Sequence, residues 1–504
     1  KTVKLSGWVD SYRDHGGVVF IDLRDRWGVT QIVFNPETNK ELHGRASKLR
    51  VEYVIQVEGT VLKRSDATIN PKLKTGTIEV KATALTLLNE SPTPPIEVNS
   101  DAYVSEDLRL KYRFLDLRRP VMQKYLHFRY KVSKIVRDYL DQLEFVEVET
   151  PYLTKSTPEG ARDYLVPCRL APGTFYALPQ SPQLFKQILM VAGYDRYYQI
   201  VRCFRDEDLR ADRQPEHTQI DMEMSFVHQD DVQVMVEGMV KRVFKEMFKI
   251  DITTPLKRIP YDEAMNSYGS DKPDLRIPLT IKDVTDIFAA TEFKVFRSTI
   301  DEKGVIKALK VPGGATLSRK DIDDLTAFAG NYGAKGLAWI KVSPEGVLES
   351  QIVKFFKEGE LNELKRRLDL QPGDIVLMVA STWKIACDTL GALRIHLGKS
   401  RGFLKQGSFE LCWVVDFPSV EWDAEEKRYV ACHHPFTSPR AQDIPLLDTD
   451  PLKVRAQAYD LVLNGTEIGG GSVRIHDEKL QEKMFSLLGI TRAQAEVKFG
   501  FLLS

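Results

Sequence analysis

Three prolines between Asn89 and Asp101 constrain the fold most, because they separate two parts of the chain that have different periodicities. This segment has no hydrophobic repeat, so we predict a stiff extended linker and a domain boundary there. At roughly 150 residues per domain, a chain of 504 residues is expected to form about three domains. A single small binding module is therefore excluded.

The part before the linker consists of short runs in which apolar and polar residues alternate. In the last run Ile78, Val80 and Ala82 face one way, which is typical of a half-buried strand. Five short antiparallel strands are best protected by closing into a barrel. We predict such a barrel over residues 1–88, with strands at 3–5, 19–24, 29–34, 53–61 and 77–83.

Composition limits the class of protein. The chain is 43% hydrophobic and 28% charged, which is a globular composition, and we expect a soluble protein without a signal peptide. Five scattered cysteines argue against a disulfide framework or a zinc site and favour a reducing, cytoplasmic location. Lys plus Arg equal Asp plus Glu at 71 each, so any contact with nucleic acid must be local.

Beyond the linker at 89–120, an apolar stripe from Tyr125 to Leu143 with three- and four-residue steps predicts a long amphipathic helix. A strand is predicted to follow it and to stop at Pro151. Residues 276–406 contain Gly-rich turns and no cluster of candidate catalytic groups, so we interpret them as an inserted domain. The two flanking parts, 121–275 and 407–504, must then come together across it.

Two strand-like runs, 197–205 and 217–226, predict an antiparallel hairpin with a charged connection. Alternation puts polar residues of the second run on one face, which is either a solvated outer face or a functional surface. Arginines at the connection favour a polyphosphate ligand, with an exposed ion-pair network as the alternative. The polar row is His217, Gln219, Asp221, Glu223 and Ser225, and the arginines are Arg205, Arg210 and Arg213.

A helix is predicted to start after Ser181, because serine is a good N-cap and Pro182 suits the first helical position. Gln183, Lys186 and Gln187 then share one helical face. A cation and an amide either point into a pocket together there or lie on a plain surface.

The run from Tyr459 to Arg474 predicts a hairpin that turns at Asn464-Gly465 or Gly465-Thr466. Both registers put Asp460 and Glu467 on the same face, where they offer two oxygen ligands to a Mg²⁺ ion that bridges phosphates. A bulge at the glycines 469–471 is needed to bring Arg474 to that face. His433 and His434 form a further polar cluster or belong to an ordinary loop.

Four ordered segments make this chain resemble a bacterial-type aspartyl-tRNA synthetase, a class II aminoacyl-tRNA synthetase. They are STPEGARDYLV from Ser156, QSPQLFKQ from Gln180, CFRDEDLRADRQP from Cys203 and GTEIGGGSVRIH from Gly465. The resemblance implies an α+β multidomain protein with an OB-fold anticodon-binding barrel, a catalytic domain on an antiparallel sheet and the bacterial insertion domain. It also implies a homodimer formed through motif 1, the helix and strand that end at Pro151.

The resemblance assigns roles to residues of this chain. Arg205 and Glu207 are expected to hold ATP and the aspartyl carboxylate near the α-phosphate, Gln214 lies by the adenine, and Asp460 and Glu467 hold ATP and Mg²⁺. The expected aspartate pocket comprises Glu159, Ser181, Gln183, Lys186, Gln219, Asp221, His433 and Arg474.

For the tRNA, the barrel is expected to bind the anticodon loop. Phe20 lies on the polar face of its strand and is the candidate that stacks on a base, with a second-core contact as the alternative. Arg13 and Gln31 match other family positions near the anticodon. The loop Arg13–Gly17 resembles that of members with relaxed specificity, which charge tRNA-Asn as well as tRNA-Asp.

The sequence departs from the family after Phe499, since it stops before the Gly-rich strand and helix of motif 3. The chain as written is therefore expected to be incomplete or impaired. Alternatives are an asparaginyl or lysyl enzyme of the same subclass, and a non-catalytic RNA-binding paralogue.

Overall fold

The computed structural model describes residues 1–156, 161–208, 214–405 and 407–503. They form two compact units, Lys1–Lys134 and Ile135–Ser504.

In the first unit, five strands close into a barrel in the order β1-β2-β3-β5-β4. Val19, Ile21 and Leu23 point into the core with at most 2% exposure, as the alternation predicts. The barrel is sealed by a parallel pairing of β3 with β5, and α1 lies between β3 and β4 in the chain. The elements are β1 (Thr2–His15), β2 (Val18–Asp25), β3 (Gly28–Phe34), α1 (Lys40–Ala46), β4 (Val54–Lys63) and β5 (Ile78–Asn89).

The predicted loop Arg13–Gly17 is wrong in part, because β1 continues through His15. Only Gly16 and Gly17 form the turn, with φ values of 61° and 80° that favour glycine. Arg13 therefore has a fixed place on a strand, opposite Phe20.

The segment 89–120 packs on the barrel. Ile96 and Val98 are each 2% exposed, and Arg118 Nη1 donates to Glu52 Oε2 at 2.7 Å. Two short helices lie within it, α2 (Glu106–Lys111) and α3 (Arg113–Asp116). The long helix α4 (Pro120–Gln142) follows, as predicted.

The second unit contains two sheets that carry the predicted site residues. Strands β10-β9-β6 form one, and β11-β17-β20-β21 form the other. Most neighbours run antiparallel as predicted, but β6 pairs with β9 and β11 with β17 in parallel. The first sheet comprises β6 (Val146–Glu147), β9 (Arg196–Phe204) and β10 (Glu216–Met224), and the helices next to it in the chain are α5 (Gln183–Val191) and α6 (Gln229–Phe248). A separate two-stranded sheet is formed by β7 (Leu165–Pro167) and β8 (Phe175–Ala177).

The pairing of β11 with β17 joins the two parts of the chain on either side of residues 276–406. The second sheet comprises β11 (Lys257–Pro260), β17 (Leu411–Val415), β20 (Ala458–Leu463) and β21 (Thr466–Ser472), and the helices of this part are α7 (Tyr261–Tyr268), α12 (Glu478–Leu487) and α13 (Arg492–Leu503). A separate two-stranded sheet is formed by β18 (Val420–Asp423) and β19 (Arg428–Ala431).

Between these parts lies an antiparallel sheet of order β12-β13-β16-β14-β15, with helices on both faces. In β16, Leu377 and Val379 pack under α9 and α11, whereas Val376 and Met378 pack on the side of α8 and α10. Burial on both faces explains the unbroken apolar run of this strand. The elements are β12 (Ile281–Asp283), α8 (Lys294–Asp301), β13 (Val305–Val311), α9 (Arg319–Gly330), β14 (Ala338–Val342), β15 (Leu348–Glu349), α10 (Glu358–Arg367), β16 (Ile375–Ser381) and α11 (Trp383–Ser400).

Across the described ranges, no helix is both long enough and apolar enough to cross a membrane.

Candidate functional site

The polar row of β10 lies against the interior and is not a solvated outer face. Asp221 is 3% exposed, and the residues of β9 that pair with this face include Tyr197 and Val201, which are at most 1% exposed. Gln219 Nε2 donates to Asp221 Oδ1 at 2.9 Å. Buried charged residues require partners, so the row is a candidate binding surface.

Lys186 of α5 supplies the partner. Its ammonium donates to Asp221 Oδ1 at 2.8 Å and lies 3.3 Å from Glu223 Oε2. The side chain is about nine-tenths buried, and the two carboxylates compensate for the burial of its charge. The alternative of a plain surface helix face is therefore wrong.

The start of α5 differs from the prediction by one residue. Helical geometry begins at Gln183, and Pro182 occupies the N-cap without a side-chain hydrogen bond. Ser181 lies just before it and is half-buried, so the predicted capping role is wrong.

Arg474 reaches the same place from the other sheet. Its Nη2 donates to Gln183 Oε1 at 2.6 Å, its Nη1 donates to Ser472 Oγ at 3.0 Å, and its Nε lies 3.9 Å from Glu223 Oε1. Lys186 and Arg474 thus approach the two oxygens of one carboxylate, that of Glu223. We call Gln183, Lys186, Asp221, Glu223 and Arg474 the polar cluster.

Several buried polar atoms around this cluster have no hydrogen-bond partner among the described residues. They are Gln183 Nε2, Gln187 Oε1, Arg205 Nε, Asp221 Oδ2 and Arg474 Nε. Three of the five are donors. Because buried polar groups are normally paired, these donors indicate a ligand rich in acceptor oxygens.

The hairpin β20–β21 turns at Asn464-Gly465, whose φ values are 53° and 81°, so the first of the two predicted registers is correct. The register shifts between Leu461 and Val462, where β21 contains Ile468 as an extra residue. The bulge lies immediately before the glycines 469–471, and the shift returns Arg474 to the face of Asp460 and Glu467.

Asp460 is buried, and Gly470 lies opposite it on β21. A Cβ at Gly470 would come within 2.5 Å of Asp460 Oδ1, so a larger residue there would displace the Asp460 carboxylate. Burial and the nearby charges of Glu467 and Asp271 raise the pKa of Asp460 to about 8, which Lys272 opposes.

The chemistry of these two carboxylates fits Mg²⁺ that arrives with a nucleotide. No group of three His, Cys, Asp or Glu side chains in the described part of the chain is placed to hold a metal ion alone. Mg²⁺ is commonly bound by one or two carboxylates together with substrate phosphates. Asp460 and Glu467 match that donor set.

The two histidines have different environments. His434 is half-buried, desolvation of its ring lowers its pKa to about 3, and its Nδ1 accepts from the Phe436 backbone N–H at 3.2 Å. His434 is therefore a structural loop residue. His433 packs edge-on against Phe417 and is exposed.

The Arg205 end of the hairpin is described in part. Arg205 N–H donates to the Pro215 carbonyl at 2.8 Å, which continues the β9–β10 pairing and keeps Arg205 on the face of the polar row. Glu207 is half-buried and Gln214 is exposed. Glu159, Arg210 and Arg213 lie outside the described residues.

In the barrel, Arg13, Phe20 and Gln31 share one outer face. Arg13 Nη2 donates to Asp22 Oδ2 at 2.9 Å and to Gln31 Oε1 at 3.4 Å, and Phe20 pairs with Arg13 across the strands. Phe20 is half-buried, while its neighbours Val19 and Ile21 occupy the barrel core.

Sequence reasoning missed several members of these sites. Asp22 and Glu79 orient Arg13 and Gln31, and Lys272 Nζ lies 2.9 Å from Glu467 Oε2. The charged pair Asp271-Lys272 between Gly269 and Pro273 is a signal in the sequence, but its contact with Glu467 is set by tertiary structure.

The largely antiparallel sheets, the cations Lys186 and Arg474 beside the polar row and the carboxylate hairpin agree with the predicted class of protein, a class II tRNA synthetase. The family model described as tRNA synthetases class II (D, K and N) matches residues 105–504, and that described as OB-fold nucleic acid binding domain matches residues 3–88. The chain belongs to this family of class II synthetases, whose members use ATP as a substrate, and the predicted resemblance is confirmed.

Relatives and solved structures agree. Aspartate--tRNA(Asp/Asn) ligases of Desulfatibacillum aliphaticivorans and Caldanaerobacter subterraneus are 57% and 55% identical over the whole chain, which covers 84% and 85% of them. Asparaginyl-tRNA synthetases of Pyrococcus horikoshii and Entamoeba histolytica share the fold, each with a TM-score of 0.57 over 99% of this chain and 86% and 88% of theirs, at 18% and 16% identity.

Proposed function

We propose that this protein activates L-aspartate with ATP and transfers the aspartyl group to the 3′ end of tRNA-Asp and tRNA-Asn. The relatives named above are aspartate--tRNA(Asp/Asn) ligases at 57% and 55% identity, which supports both the amino acid and the pair of tRNAs.

One observation carries the choice of aspartate. Lys186 and Arg474 contact the two oxygens of Glu223, so their spacing matches one carboxylate group, and the side-chain carboxylate of aspartate can lie between the same two cations. Asparagine would leave a cation without an anionic partner at a cost of a few kcal/mol, and lysine would be repelled. Ser181, Gln183, Gln219, Asp221, His433 and Glu159 complete the proposed aspartate pocket.

The activation step needs positioning more than proton transfer. The α-carboxylate of aspartate attacks the α-phosphorus of ATP in line and pyrophosphate leaves, so charge neutralisation lowers the barrier. We assign Arg205 and Glu207 to this site and Gln214 to the adenine. Asp460 and Glu467 would hold Mg²⁺, which supplies further neutralisation of the phosphates.

We also propose the division of the chain into domains. Residues 1–88 bind the anticodon through Arg13, Phe20 and Gln31, residues 89–120 connect, 121–275 and 407–504 catalyse, and 276–406 form the bacterial insertion. A homodimer through motif 1 is supported by the N-terminal half of α4, where Tyr125, Leu126 and Tyr130 are each more than half exposed.

Amino-acid-dependent exchange of pyrophosphate into ATP tests the first step. Aspartate is expected to drive exchange, whereas asparagine and lysine are not. Exchange driven by either of those instead of aspartate would reject the assignment. Charging of purified transcripts tests the second step, and a preference of a hundredfold or more for tRNA-Asp would reject the relaxed specificity.

A further inference from the structure

Lys272 occupies a position that the sequence motifs do not explain. Its Nζ lies 2.9 Å from Glu467 Oε2, and both side chains are only about one-third exposed. The Lys272 ammonium thus lies beside Glu467, one of the two carboxylates assigned to Mg²⁺.

Contacts with α11 restrict the backbone on either side of Lys272. At the end of α7, Gly269 has a φ of 68°, and a Cβ there would come within 2.5 Å of Gly391 Cα on α11. Arg394, also on α11, is fully buried and donates to the carbonyls of Asp274, Ile277 and Leu279 at 2.6–2.8 Å.

The same segment also contacts the carboxylate hairpin. A Cβ at Gly465, in the turn between β20 and β21, would come within 3.0 Å of Asp274 Cβ. Lys272 is therefore held between α11 of the insertion and the hairpin, and its backbone has little freedom. Its four-carbon side chain keeps the freedom to move the ammonium group.

A Mg²⁺ ion between Asp460 and Glu467 would meet this ammonium at close range. Like charges a few Å apart repel strongly in a partly buried site, so the ammonium must move away. Phosphate oxygens of ATP would then give it new acceptors, whereas free Mg²⁺ brings none.

We propose that Lys272 is a built-in counter-ion of the Asp460–Glu467 pair that a divalent cation must displace, so that the metal binds well only together with ATP. This inference rests on the proposed function of the two carboxylates. By linkage, ATP must strengthen metal binding by the same factor as the metal strengthens ATP binding.

Mn²⁺ binding followed by electron paramagnetic resonance, without ATP and then with it, tests the proposal. K272M is expected to bind free Mn²⁺ about tenfold more tightly or better than wild type, since one unit of opposing charge is gone. The strengthening of Mn²⁺ binding by ATP is expected to shrink in the same variant. K272R keeps the charge and is expected to match wild type.

Two control variants test whether the change in Mn²⁺ affinity arises at Glu467. K453M removes an exposed lysine that pairs with Asp450 and should leave Mn²⁺ affinity unchanged. Adding E467Q to K272M should abolish the gain. Equal or weaker Mn²⁺ binding by K272M, including no binding by either protein, would overturn the proposal. Aspartate-dependent exchange by wild type would still uphold the proposed function in that case.

Discussion

Removing the charge of Lys186 separates its role in folding from its role in binding. Lys186→Met keeps much of the side-chain volume but leaves Asp221 and Glu223 without the ammonium that lies 2.8 and 3.3 Å away. Adding Asp221→Asn removes one of the two carboxylate charges that Lys186→Met leaves without a cation. Gln219 Nε2 can still donate to the remaining Oδ1 of that asparagine.

The two variants should differ in stability. Breaking a buried ion pair by removing one partner costs about 3–5 kcal/mol of unfolding free energy, whereas replacing both partners by neutral groups costs little. Lys186 and Asp221 are only 7% and 3% exposed, so the buried case applies. We expect Lys186→Met to lose about 3–5 kcal/mol and the double variant to lose no more than about 1–2 kcal/mol.

Both variants should fail in aspartate binding, because both lack the ammonium, and the double variant should bind no better than Lys186→Met, since it also lacks the charge of Asp221 in the proposed pocket. Loss of one partner from a desolvated charge pair costs about 2–4 kcal/mol, which is roughly 30- to 700-fold in Kd. ATP binding should change far less. Urea unfolding gives the stability, and calorimetric titration with aspartate and with ATP gives the affinities.

Lys241 offers a matched control. It is an exposed lysine paired with Asp251 at 3.7 Å, so Lys241→Met should change stability by less than about 1 kcal/mol and leave aspartate binding intact. Recovery of aspartate affinity in the Lys186→Met, Asp221→Asn protein would refute the reasoning, because the ammonium would then act only in folding.

Three further predictions concern other parts of the molecule. Burial raises the pKa of Asp460 to about 8 in the folded protein, so without metal the folded state holds this proton more tightly than the unfolded state does. The free energy of unfolding should therefore fall as pH rises from about 4 to 8. Asp460→Asn should remove this loss, by up to a few kcal/mol in thermal melts in EDTA; parallel pH profiles for the two proteins would contradict it. Phe20→Ala should raise the KM for tRNA and leave pyrophosphate exchange unchanged, whereas equal loss of both would indicate a folding role. Arg394→Met removes the donor to the carbonyls of Asp274, Ile277 and Leu279, of which only the Asp274 carbonyl keeps another donor, the Ile277 N–H at 3.3 Å. The variant should cost about 3 kcal/mol or more, with faster hydrogen exchange over residues 274–279; unchanged exchange there would argue against Arg394 as the residue that fixes the segment.

Much of the site follows from the two-residue period of strands. Alternation along β10 predicted which side chains share a face, and the antiparallel pairing with β9 keeps that register over the whole strand. The alternating pattern could not predict whether this face of β10 is solvent-exposed or buried. The burial of this face depends on α5, a separate element whose Lys186 covers the face.

The sequence rules for helix caps and β-bulges gave the wrong position where more than one neighbouring residue satisfies the rule. Ser181 and Pro182 both suit a helix start, and the chain uses Pro182 as the cap. The glycines 469–471 all permit a bulge, but the extra residue is Ile468, next to them.

Lys272 shows why the remaining contacts could not be predicted from local patterns. Its partner Glu467 lies almost 200 residues further along the chain, and the ammonium reaches it because Gly391 and Arg394 of α11 fix the backbone before and after Lys272. The helix α11, which carries no candidate catalytic group, therefore contacts the segment that places Lys272 beside Glu467. A variant that loosens α11 should alter metal binding at Glu467 without touching any predicted site residue, since the path from the insertion to the carboxylates runs through this segment.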